Sequence, residues 1–310
     1  MVVLMIFGHY HAHFTHKEGP MVIDSHYHLE ERVFTIDEFL KEMNKIGVEK
    51  TALMGSMVEP FLEPPKFLIS VLQFLLETSA LRGLGKALVS NFTDKGEVKI
   101  LGKPYYIETD PDNDKVFHTV KMHPDRFLGW IFVNPKGKKD QVSEFEKYKD
   151  QPGFIGVKAH PFWHHFTPVE LAPVAERLAK TGKPLLIHAG FGPEGDFEAL
   201  LRNVPDLKLI LAHAGFPEYS NTWRKILPRK NVYLDLSQTS YTSERATREV
   251  VDYLGVDRLF YGTDGPYGFH GADHKYDYGF IKRRLERLFP DRVVQSRLLG
   301  DNFSEVVGLK

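Results

Sequence analysis

The sequence predicts a (β/α)8 TIM barrel, distorted by one long insertion after its second strand. Three observations lead there. From about residue 150, apolar runs of strand length alternate with stretches of helical periodicity. The runs are apolar on both faces, as strands of a buried parallel sheet must be. Counted along the chain they reach eight, the closure number of such a barrel. A doubly wound open sheet is the alternative architecture for the same alternation.

The first strand is Met21–Ile23 leading into Asp24. Thr35-Ile-Asp-Glu-Phe-Leu-Lys-Glu-Met then starts a helix that Gly47 ends, and Lys50–Met54 is the second strand. About 70 residues separate it from the third, Phe127–Val133, and they carry the insertion, placed at about 58–112. That segment reads as an apolar helix over Phe67–Leu81 and a hairpin of Glu97–Leu101 and Pro104–Glu108 around Gly102–Lys103. It leaves from the end of the barrel where active sites lie, so it is either a lid over a site or a face for a homodimer. Phe154–Ala159, Pro184–Ala189, Leu207–His213, Asn231–Leu236 and Arg258–Tyr261 complete the strands. Helices are expected at Val169–Lys180, Phe197–Arg202, Trp223–Leu227, Glu244–Leu254 and Tyr278–Leu288.

The bulk numbers narrow the function. The 310 residues carry 40 basic and 41 acidic side chains, a formal net charge of −1. That balance leaves no electrostatic footprint for nucleic acid or an anionic membrane. Without cysteine there is neither a disulfide nor a thiolate metal site, so any metal must be held by histidine and carboxylate. The apolar runs are too short to span a bilayer, and the N-terminal one lacks the basic flank and length of a signal peptide. A cytoplasmic protein acting on a small molecule is the expectation.

Histidines supply the next clue. Residues 8–28 offer His-x-His more than once, at His9–His11–His13 and again at His26–His28. The spacing downstream separates them. After His28 the chain makes one strand–helix unit of ordinary length, whereas a first strand at Val2–Phe7 would strand Asp24 in an oversized loop. Residues 1–20 therefore read as an appendage before a single domain, 21–310. In a barrel, ligand-type residues belong at the C-terminal ends of the strands. Asp24-Ser-His26-Tyr-His28, Lys158-Ala-His160, His188, His213 and Asp264 all occupy such positions. Alternation along a strand turns His26 and His28 to the same side. Imidazoles with a carboxylate match the donor preference of zinc and similar ions. Trp163 and Tyr267 follow strand ends and are candidates, with His160, for contact with substrate.

The ordered set Asp24-Ser-His-Tyr-His, His188, His213 and Gly-Thr-Asp264-Gly-Pro resembles the amidohydrolase superfamily, in particular its amidohydrolase-related branch of hydrolases and decarboxylases. His123-Pro-Asp-Arg-Phe-Leu-Gly, Gly156-Val-Lys-Ala-His-Pro and Leu299-Gly-Asp-Asn-Phe extend the likeness from about residue 21 to the end. The resemblance implies one or two divalent ions, zinc first, with manganese, iron or nickel as alternatives. It implies His26, His28 and His188 as ligands and Asp264 as ligand or general base. His213 would bind a second ion or act as an acid/base beside the first, and Lys158, if carboxylated by CO2, would bridge two ions. The reaction it implies is attack of metal-activated water on an amide, ester or lactone-type carbonyl. The alternative is non-oxidative decarboxylation of an unsaturated or aromatic acid at one ion.

Overall fold

The structure, a computed structural model, describes residues 21–268, 270, 271 and 273–309. The expected appendage, residues 1–20 with the His9–His13 cluster, lies outside them.

Eight parallel strands form one sheet: β1 (Ile23–Leu29), β2 (Lys50–Gly55), β5 (Phe127–Phe132), β6 (Phe154–Ala159), β7 (Leu185–Ile187), β8 (Leu209–Leu211), β9 (Val232–Asp235) and β10 (Leu259–Phe260), neighbours in that order. The ring nearly closes. Ser25 N–H bonds the Tyr261 carbonyl at 3.2 Å, Asp264 N–H the His26 carbonyl at 2.7 Å and His28 N–H the Gly265 carbonyl at 2.6 Å. The chain thus folds as the barrel and not as an open sheet.

Helices cover the outside: α1 (Ile36–Ile46), then α4 (Asn113–Met122) after two helices of the segment described below, α5 (Gln141–Tyr148), α6 (Pro161–His164), α7 (Ala172–Ala179), α8 (Phe197–Asn203), α9 (Ser220–Ile226), α10 (Glu244–Leu254), α11 (Phe280–Leu288), α12 (Arg292–Ser296) and α13 (Asn302–Val307). Local chemistry sets their limits. Thr35 and Glu38 form a capping box at the start of α1, and Gly47 ends it at φ 72°. Asp112, Asp140, Asp196 and Ser243 cap α4, α5, α8 and α10 through their side chains. No helix of the described residues is long and apolar enough to cross a membrane.

Strand alternation sorts the apolar residues into two layers. Leu53, Ile131, Val157, Leu185 and Leu209 pack outward on Phe39, Met43, Val174 and Leu178 of the helices. Met54, Trp130, Leu186 and Ile210 fill the barrel, with Phe303 of α13 packed among them, and Ile155 joins this layer where the β5–β6 register shifts.

Between β2 and α4 lie α2 (Lys66–Glu77), α3 (Arg82–Val89) and the hairpin β3 (Glu97–Ile100) with β4 (Lys103–Tyr106). The helix expected over Phe67–Leu81 ends at Glu77, and a second helix, α3, follows from Arg82. The chain leaves helical geometry at Thr78, and the buried Arg82 side chain turns back to donate to the Leu76 carbonyl at 2.9 Å. This segment is tied to the loop after β9. Glu63 Oε1 accepts from Thr239 Oγ1 at 3.1 Å and Ser240 Oγ at 3.2 Å, Gln73 Nε2 donates to the Thr239 carbonyl at 2.5 Å, and Glu77 accepts from the Ser243 N–H and hydroxyl.

Candidate metal centre

His26 and His28 stand on β1 itself, two residues apart, and both are buried. Each ring has its Nδ1 occupied. His26 Nδ1 meets Asp235 Oδ2 at 2.9 Å and His28 Nδ1 donates to the Gly55 carbonyl at 2.9 Å. These two bonds turn both Nε2 atoms the same way, a role outer partners commonly play for metal-binding histidines. Both aim at Asp264, whose Oδ1 is 2.9 Å from His26 Nε2 and 3.4 Å from His28 Nε2. Asp264 itself has φ 56°, and its Oδ2 accepts from Gln238 Nε2 at 3.0 Å. One donor atom from each of His26, His28 and Asp264 lies within 4.8 Å of the other two.

The other expected residues surround this group. His188 Nδ1 pairs with His213 Nε2 at 2.9 Å, and its buried Nε2 has no partner among the described residues. His213, in a turn after β8 at φ 57°, bonds Ser237 Oγ through Nδ1 at 2.8 Å, and its Nε2 is 3.9 Å from Asp264 Oδ2. Lys158 is fully buried on β6 with Nζ 3.3 Å from His26 Nε2. His160 caps α6, accepts the Trp163 N–H at Nδ1, and stacks on His188 at 4.1 Å between centroids. Trp163 lies against the His160 ring at 5.0 Å. The Tyr267 ring is 5.1 Å from that of His28, while its hydroxyl is held by Ser56 Oγ and the Val58 carbonyl, both at 2.6 Å.

Two residues at the centre escaped the reading of the sequence. Asp235 ends β9 fully buried, takes His26 on one oxygen, and takes the His213 and Ser237 backbone N–H groups on the other at 2.9 and 3.1 Å. Its signal was visible, an acid at the end of an apolar strand in Val232-Tyr-Leu-Asp, like Asp24 in the first. Gln238, at φ 57°, had no such signal, because it follows the strand in a loop.

The electrostatics favour a cation. Burial lowers His28 against the pull of Asp264, burial and neighbouring histidines hold His160 and His188 well below the usual range, and burial pushes His213 down to about 4. Neutral imidazoles keep a lone pair to donate. Burial tends to raise Asp264, but the imidazoles of His26 and His213 and the bonds from His26 and His28 hold it well below the carboxylate range, as an anion. His26 rises in spite of burial and the Lys158 charge, because Asp264 and Asp235 flank it. Burial takes Lys158 down to about 8. Oriented Nε2 atoms, an anionic carboxylate and an unpartnered buried His188 nitrogen fit a divalent ion with nitrogen and oxygen ligands.

Comparison with known proteins shows the fold and the family. Residues 105–309 match the family model described as Amidohydrolase. Among solved structures, 2,6-dihydroxybenzoate decarboxylase from Rhizobium superposes with a TM-score of 0.60 at 14% identity, covering 94% of this chain and 99% of that one. The 5-carboxyvanillate decarboxylase from Novosphingobium aromaticivorans, complexed with manganese and 4-hydroxy-3-methoxy-5-nitrobenzoic acid, gives 0.57 at 13%, covering 94% and 97%. A protein assigned as a 2-pyrone-4,6-dicarboxylic acid hydrolase, from Acinetobacter baumannii, with citric acid bound, gives 0.57 at 14%, covering 93% and 99%. At these identities the likeness is one of fold. The fluG protein of Emericella nidulans is 25% identical over 136 residues, and the match spans 38% of this chain but 15% of that protein's length. The family match takes in more than half of the 310 residues and every strand from β5 onward, and on it the chain belongs to the amidohydrolase-related family.

Proposed function

We propose that this protein is a divalent-metal-dependent hydrolase of a small molecule, acting on an amide, ester or lactone-type carbonyl. The observation that carries the reading is the convergence of His26 Nε2, His28 Nε2 and Asp264 Oδ1 at the mouth of the barrel. His26, His28 and Asp264 would hold the ion, with the unpartnered His188 Nε2 as a further ligand, and such a set of imidazoles with one carboxylate suits zinc. When bound, such an ion polarises a carbonyl and lowers the pKa of water.

The remaining chemistry falls to side chains. Asp264 Oδ2, oriented by Gln238, accepts the proton of the attacking water and returns it to the leaving group. His213 Nε2 is close enough to that oxygen to share charge that develops beside it. His160, Trp163 and Tyr267 border the space where substrate sits. Lys158 has two roles open to it: an amine beside His26, or, carboxylated by CO2, an added ligand for a second ion.

A second reading is non-oxidative decarboxylation of an unsaturated or aromatic acid at one ion. One observation favours it: the described residues offer a single three-donor group, with His188 and His213 bonded to each other. Turnover of a substrate panel in 18O-labelled water separates the two. Label entering the organic product supports hydrolysis, and CO2 release with no label in the organic product supports decarboxylation. Metal-loaded Asp264→Asn should lose at least about 100-fold in kcat on either reading. Wild-type turnover in that variant refutes both assignments of Asp264.

A further inference from the structure

The segment between β2 and α4 encloses, with the barrel mouth, a cavity of about 380 Å³. That lies within the roughly 300–1,000 Å³ of small-molecule sites. One of its wall residues touches the candidate metal centre, and two more touch the histidines that surround it. Gln238 donates to Asp264, Trp163 stacks on His160, and the Tyr241 ring is 5.5 Å from that of His213. A molecule whose reacting group meets Asp264 therefore has this space to extend into.

The lining describes what would extend there. Phe61, Ile69, Leu72 and Val98 form the walls. Leu68, Leu88 and Leu101 stand at the mouth, 44%, 59% and 62% exposed, so the way in is apolar too. Charge is sparse and of one sign inside. Among the described lining residues the charged ones are Lys99, exposed on β3, and Glu63 on the inner wall. Glu63 is half-buried, and the Thr239 and Ser240 hydroxyls bond its Oε1. Burial raises it despite those bonds and the charge of Lys66. A second carboxylate brought into this space would lose water without meeting an inner cation, and would face Glu63.

We propose that this cavity receives an uncharged apolar arm of the substrate, an alkyl chain or aryl ring, and turns away arms that end in a carboxylate. The proposal deepens the hydrolase reading and rests on it only in taking the cavity to serve that site. Leu72 and its neighbours set the room available. Glu63 sets the sign of charge that is refused.

Calorimetric titration of the metal-free protein tests the cavity apart from any reaction. The probes are octan-1-ol and octanoate, which share a chain length and differ in charge. Octan-1-ol should bind, and octanoate should bind at least about tenfold more weakly. Glu63→Gln should narrow that gap. Leu72→Trp fills the space and should abolish octan-1-ol binding while circular dichroism shows a folded protein. Octanoate binding as tightly as octan-1-ol overturns the proposal, as does unchanged octan-1-ol binding in folded Leu72→Trp. Metal-loaded enzyme is then assayed on neutral octanoyl and acetyl esters. Octan-1-ol binding with no ester hydrolysis leaves the cavity standing and counts against the hydrolase reading. Hydrolysis without octan-1-ol binding overturns the cavity alone.

Discussion

Asp235→Asn puts the outer partner of the centre under direct test. One oxygen of Asp235 meets His26 Nδ1 at 2.9 Å, and the other takes the His213 and Ser237 N–H groups and the Ser237 hydroxyl. Asparagine keeps an oxygen for the two backbone donors. Its NH2 cannot accept from His26. The imidazole must then forfeit that bond or move its proton to Nε2, the atom aimed at Asp264, where a proton removes the lone pair an ion needs. A hydrogen bond to a charged group contributes about 1.5–3 kcal/mol. Outer partners of metal-binding histidines typically change metal affinity about 10–100-fold. The variant should fold, with urea denaturation showing a loss of about 1.5–3 kcal/mol. Competition with a chromophoric chelator near neutral pH should show divalent-metal affinity about 10–100-fold weaker. Asp235→Ala should be worse for stability, because each orphaned buried N–H costs a further 1–3 kcal/mol or about that. An Asn variant that holds metal as tightly as wild type refutes the reasoning, since the orientation of His26 would then not depend on Asp235.

Three further outcomes follow from particular contacts. A Cβ on Gly300 would lie 1.7 Å from the Met21 carbonyl oxygen, so Gly300→Ala must displace the entry to β1 and should cost about 1–3 kcal/mol in urea denaturation. His164 is pushed down to about 4 by burial, against the bond its Nε2 donates to the Glu108 carbonyl. The unfolded chain takes up that proton near pH 6.5 or about there, so stability from the neutral ring is full above this value and is lost as pH falls towards about 4. The loss reaches up to about 3 kcal/mol, and His164→Gln should show a flatter acid limb between those values in chemical denaturation. A chain beginning at Met21 should retain wild-type metal content and turnover, and a large loss of either would sink the assignment of the metal centre to His26 and His28 over the His9–His13 cluster.

Much of the barrel was legible because its physics is local. Strands buried on both faces must be apolar throughout, and the helices between them need one apolar stripe and a capping residue. Those demands leave marks such as Phe154–Ala159, Thr35 and Glu38, and Asp196. The break between α2 and α3 left no comparable mark. Thr78–Leu81 contains neither proline nor glycine, and helical geometry is surrendered there to the contact of Arg82 with the Leu76 carbonyl and with Glu218. That competition involves residue 218, far along the chain, and no window of sequence near residue 80 contains it.

The same division runs through the centre. That His26, His28 and Asp264 reach one end of the barrel follows from the places of the two histidines on β1 and of Asp264 in the turn after β10, which backbone bonds join across the closure. Which ring atom faces inward does not follow. Asp235 decides it for His26, the Gly55 carbonyl for His28 and Ser237 for His213. His188 follows the same rule: it stands after β7 as expected, His213 takes its Nδ1, and its buried Nε2 is left without a partner among the described residues. Position on a strand places a ligand-type residue within reach of the site. A second residue, distant in sequence, fixes its orientation, so the chemistry of this centre is set as much by Asp235, Gln238 and Ser237 as by the histidines that first draw the eye.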